Sequence, residues 1–80
     1  MRTIHPGEIL QEEYLVPLDL TTDELAKTTG LSERYLIQLC RKKIGITPKA
    51  AECFSVAFDT PEEFWIKLQD TFDKENHGSR

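Results

Sequence analysis

Five helix-starting signals punctuate this chain of 80 residues, and nowhere does an apolar–polar alternation persist long enough to make a strand. Pro6-Gly7-Glu8 supplies the first, since proline's missing N–H costs nothing in a first turn and Glu8 suits the positive end of the helix dipole. Ile9, Leu10 and Tyr14 then form an apolar stripe, and Pro17 stops the helix. Thr21 and Glu24 make a capping box for the second helix, which runs through Leu25 and Ala26 to Gly30. After a short turn Ser32 can cap a third helix, extending roughly over 32–43. Thr47-Pro48 starts a fourth, with Ala50, Ala51, Phe54, Ala57 and Phe58 at a 3.6-residue period. Thr60-Pro61 repeats that start for a fifth over about 61–73, with Glu63 placed for a capping box and Phe64, Trp65, Leu68 and Phe72 along one stripe. The tail, 74–80, is polar and reads as frayed. The expected fold is all-α, a single domain spanning 1–80 whose small core leaves it marginally stable.

A net charge of −4 argues at first against a nucleic-acid partner. Its distribution reverses that reading. Between Leu25 and Ala51 stand Lys27, Arg34, Arg41, Lys42, Lys43 and Lys49 against Glu33 alone, a local balance of +5. The segments on either side carry −5 and −4. Because salt screens charges beyond about 10 Å, phosphate binding depends on the local patch rather than on the total.

The basic island coincides with a helix-turn-helix pattern over about 22–43. Such a unit needs a small residue inside its first helix, here Ala26, so that the second can cross close by. Four residues later it needs one tolerant of positive φ, here Gly30. Leu36 and Leu39 fall on the inner face of the second helix. Glu33, Arg34 and Gln38, with Tyr35 at the margin, are candidates for reading base edges, since Arg prefers guanine, Gln adenine, and Glu can accept from cytosine. Thr22 and Ser32, at the two helix starts, and Lys42 and Lys43, past the reading helix, are candidates for phosphate contacts. The competing reading is a helical hairpin whose basic residues are a solvated face.

Other classes find little support. His5 and His77 are solitary, Ser32, Ser55 and Ser79 lack a nucleophile-elbow setting, and there is no glycine-rich phosphate loop. Glu12-Glu13 and Glu62-Glu63 point to different helix faces. Cys40 and Cys53 form no metal-ligand series and read as small buried hydrophobes. No enzyme activity, cofactor or metal is expected. Nothing approaches the roughly 18 apolar residues of a membrane span, and no signal peptide is apparent, so the cytoplasm is the expected compartment.

Several stretches resemble the HigA-type antitoxins, also known as virulence-associated protein I, within the Xre-like helix-turn-helix family. They are Ile4-His5-Pro6-Gly7-Glu8-Ile9-Leu10 with Glu12-Glu13, Glu24-Leu25-Ala26, Gly30-Leu31-Ser32, Ile46-Thr47, and Phe64-Trp65-Ile66-Lys67-Leu68-Gln69. The opening His-Pro-Gly-Glu and the closing Phe-Trp-x-x-Leu-Gln are the most specific. The resemblance implies a five-helix lambda-repressor-like domain, a dimer that represses its own operon from double-stranded operator DNA, and a small basic mRNA-cleaving toxin of RelE-like fold as partner. The chain departs from the family pattern at Arg41-Lys42-Lys43-Ile44-Gly45, where Asn-Gly and basic residues are usual, at Ile37, where Ser is common, and at the bulky Tyr35. These changes bear on the operator sequence more than on DNA binding itself.

The stripe of Phe64, Trp65, Leu68 and Phe72 is heavy for a terminal helix and is the expected dimer contact, with completion of the monomer core as the competing use. The acids Glu8, Glu12 and Glu13 are the expected toxin-facing surface, since acid steers a basic partner. Two alternatives remain at this level: a stand-alone repressor without a toxin, and a protein-binding helical module lacking DNA affinity.

Overall fold

Side-chain caps start four of the five helices in the computed structural model, which describes residues 4–77 and the side chains of 4–75. Helix α1 (Pro6–Ile9) is capped by His5, whose Nδ1 accepts the Gly7 N–H at 2.9 Å. It runs without a break into a π-helical turn, Leu10–Leu15, where the Val16 N–H reaches back five residues to the Gln11 carbonyl. The helix ends ahead of Pro17. Helix α2 (Thr22–Thr29) opens on the Thr21–Glu24 capping box and closes on Gly30, at φ 82°.

Helix α3 (Glu33–Cys40) is capped by Ser32, which accepts the Tyr35 N–H at 3.0 Å. It stops short of the expected residue 43, because Lys42 turns into the left-handed region at φ 65° and takes the chain off the helical path. Helix α4 (Pro48–Phe58) is capped by Thr47 and ends at Asp59, itself left-handed at φ 55°. Helix α5 (Glu62–His77) outruns the expected 61–73: residues 74–77, read from sequence as part of a frayed tail, continue the helix, and 78–80 lie outside the described residues. The side chain of His77 also lies outside them, as does Ser79. Ahead of α5, the Thr60 hydroxyl accepts the Trp65 indole N–H at 2.9 Å.

Helices α1, α2 and α4 each pack against a partner from the other half of the chain, with α3 and α5 closing the bundle. Leu10, Leu25, Leu36, Leu39, Phe54 and Trp65 are fully buried at its centre. The Trp65 ring lies 5.0 Å from that of Phe54 and 5.4 Å from that of Tyr14. A side chain of this size, buried with its N–H satisfied, contributes several kcal/mol to a small domain, about 3–5 on truncation to alanine.

Two glycines allow close approaches that no periodicity announces. A Cβ on Gly7 would collide with the Leu39 carbonyl, so the glycine lets α1 sit directly on the last turn of α3. A Cβ on Gly45 would come 2.5 Å from Gln69 Oε1, the oxygen that accepts the Ile46 N–H at 2.7 Å. Gln69 thereby ties the loop after α3 to α5.

Candidate nucleic-acid interface

Helices α2 and α3 present the arrangement that the Ala26–Gly30 spacing predicts. Leu36 and Leu39 are wholly buried, and Ala26 packs against the core, so the inner face of α3 is fixed. The turn between the helices is braced by the Thr29 hydroxyl, which donates to the Leu25 carbonyl at 2.8 Å and accepts the Leu31 N–H at 3.2 Å. The outward face of α3 is thereby held at a defined angle. Arg34 and Gln38 lie one turn apart on it and, with Glu33, Ile37, Arg41 and Lys43, line a shallow recess of about 380 Å³. Arg34, Arg41 and Lys43 are exposed, and Gln38 is half-buried.

The helix starts meet here too. Thr22, in the first turn of α2, donates its hydroxyl to the Glu33 carboxylate at 3.4 Å, joining the first turns of the two helices. An expected phosphate contact and an expected base reader are therefore partners in the free protein. The Ser32 hydroxyl is exposed but occupied as a cap. Among the described residues, no cluster of three or more His, Cys, Asp or Glu side chains could hold a metal ion, and no helix is long and apolar enough to cross a membrane.

No protein-family model matches the chain. Individual relatives do. Virulence-associated protein I of Dichelobacter nodosus is 37% identical over 73 residues, 91% of this chain and 68% of the relative. The Pseudomonas aeruginosa antitoxin HigA, solved with the higBA promoter, superposes with a TM-score of 0.95 at 32% identity, over 98% of this chain and 85% of that one. The chain belongs to the HigA antitoxin family. A further P. aeruginosa protein similar to this HigA-family chain, solved with its 18-bp operator DNA, superposes with a TM-score of 0.93 at 34% identity, over 96% of this chain and 83% of that one. The chain spans 60% of another relative, the Escherichia coli K12 regulator YbaQ, to which it is 37% identical over 68 residues, 85% of this chain.

The contacts made within this HigA fold qualify four sequence expectations. The Tyr35 hydroxyl is already engaged in the free protein: it donates to the Gly45 carbonyl at 2.8 Å and accepts the Thr47 N–H at 3.3 Å. It buttresses the loop behind α3, and burial pushes its pKa up. Lys42 is paired in the free protein, its Nζ lying 3.2 Å from Glu8, which draws it back toward α1. Glu8 is correspondingly engaged and half-buried, which leaves Glu12 and Glu13 as the exposed acids of that segment. Trp65 cannot be a dimer contact, being 0% exposed inside the monomer core. Of the remaining stripe, Phe64 is exposed, Leu68 is half-buried, and Phe72 sets its ring edge-on to His5 at 4.7 Å.

Sequence reasoning also missed residues. Arg41 shares the recess with Arg34, and the i, i+4 row of Glu33, Ile37 and Arg41 is the signal that could have found it. His5, read as merely solitary, is a buried junction. Its ring caps α1, hydrogen-bonds to the Ile44 backbone and meets α5 through Phe72. Burial, followed by the positive charge of Lys42, lowers its pKa, consistent with an Nδ1 that must stay unprotonated to accept from Gly7. Cys40 and Cys53 are free and half-buried.

Proposed function

We propose that this chain is an autorepressing antitoxin: a dimer that binds operator DNA through α3 and neutralises a small basic toxin of RelE-like fold. The observation that carries the DNA-binding part is the outward face of α3, where Arg34 and Gln38, with Arg41 at the C-cap, sit on a helix whose opposite side is locked in the core. Arg and Gln one turn apart can address neighbouring base edges, while Lys43 and, on leaving Glu33, the Thr22 hydroxyl serve the flanking phosphates. Solved relatives in complex with promoter and operator DNA support the same use of the fold. A two-fold pair joined along Phe64, Leu68 and the outer end of α5 would present two reading helices about 34 Å apart, one turn of DNA. The exposed pair Glu12 and Glu13 supports an acidic docking face for the toxin.

Fluorescence anisotropy with the chain's own upstream DNA and a scrambled duplex, at two salt concentrations, tests this reading. Binding should prefer the upstream duplex and weaken as salt rises, each phosphate contact contributing about −0.9 to the log–log slope. Arg34→Ala should cost about 1–3 kcal/mol on the preferred duplex. Equal affinity for both duplexes, with and without the proposed basic toxin, would exclude a repressor.

A further inference from the structure

Ile37 lies at the middle of the outward face of α3, and the other five residues lining its recess are polar. It is 36% exposed and belongs neither to the buried core nor to the side chains packed against it. A β-branched residue in mid-helix slightly disfavours the helix, so folding gives no reason for isoleucine here. Its neighbours constrain what it can meet. Glu33, Ile37 and Arg41 form one row along the helix, and Arg34 and Gln38 form the adjacent row. Any base edge brought to Arg34 and Gln38 therefore brings a neighbouring edge to Ile37.

The floor of the major groove shows hydrogen-bonding groups at every base pair but only one apolar group, the C5-methyl of thymine. Set against adenine, guanine or cytosine, Ile37 would strip water from polar edges and return no hydrogen bond. Set against thymine, it buries methyl on methyl. We infer that Ile37 is a specificity-determining residue that reads a thymine methyl within one base-pair step of the edge facing Gln38. Its stiff χ1 fixes where that methyl must lie. The inference rests on the operator-binding reading above and adds to it a base identity and the residue that selects it.

The test uses the duplex that the full chain prefers, with each thymine replaced in turn by deoxyuridine, which removes the methyl and nothing else. One position per half-site should weaken wild-type binding by about fourfold, the factor corresponding to about 0.8 kcal/mol for one buried methyl. In Ile37→Ala that penalty should vanish while penalties elsewhere persist; Ile37→Val should retain most of it. Thermal melts check that both variants fold, as the exposure of Ile37 implies. If no deoxyuridine position matters, or if the penalty survives in Ile37→Ala, the inference is overturned while sequence-selective binding still stands. A wild-type chain indifferent to sequence would overturn the repressor reading itself, and this inference with it.

Discussion

Gly7→Ala separates helix propensity from tertiary packing, because the two predict opposite signs. Propensity alone favours alanine over glycine by about 0.5–1 kcal/mol. In the fold, however, the new Cβ would overlap the Leu39 carbonyl, lie 2.7 Å from the Leu39 carbonyl carbon, and crowd His5 Nδ1 at 3.1 Å. The obstructing atoms belong mainly to the backbone of the last turn of α3, which cannot swing aside as a side chain can. Overpacking of this kind costs about 3 kcal/mol, and relief by withdrawing α1 would also loosen the His5 cap. The net loss is about 2 kcal/mol, out of the roughly 4–12 kcal/mol typical of a domain this size. Since 1 kcal/mol moves the Tm of such a domain by about 4–8 °C, circular dichroism melts should show a drop of about 8–16 °C. An unchanged or higher Tm would refute the packing argument and leave propensity in charge.

Tyr35→Phe should lower stability to urea by about 1–2 kcal/mol, because the Gly45 carbonyl loses its donor, with the ratio of upstream to scrambled DNA affinity unchanged; lost selectivity without lost stability would return Tyr35 to the base-reading face. Lys42→Gly should raise Tm by a few degrees, since relief of a left-handed lysine, about 1 kcal/mol, outweighs a partly exposed ion pair with Glu8; a lower Tm would mean that the pair dominates. The pH dependence follows from His5. Its folded pKa lies below 6.5, so the unfolded chain binds the extra proton, and stability is complete above that pH and declines as pH falls toward the folded value. Urea midpoints should therefore fall between pH 7 and 5.5 in the wild type and vary less in His5→Asn; parallel profiles would remove His5 as the cause.

Local chemistry was legible in the sequence. The Thr21–Glu24 box, the caps Ser32 and Thr47, and the left-handed Gly30 all depend on residues within four positions of one another, and each is present. The inner and outer faces of α3 were legible for the same reason, since a 3.6-residue period separates Leu36 and Leu39 from Arg34 and Gln38. What was not legible involves partners distant in sequence. Tyr35 meets Gly45 and Thr47, Lys42 meets Glu8, and Trp65 meets Tyr14 and Phe54. An amphipathic stripe such as that of α5 shows that a face is buried, without showing whether the cover is the chain itself or a second copy. The π-helical turn at Leu10–Leu15 has no local signal either.

The separation of the two faces of α3 has an evolutionary consequence. Arg34, Ile37 and Arg41 contribute nothing to the core, so replacing them leaves the scaffold nearly as stable as before; surface changes of this kind usually stay within about 0.5 kcal/mol. On the operator-binding reading, chains with this fold can therefore drift to different operators by single substitutions, with no refolding barrier between them. DNA preference can then diverge one residue at a time.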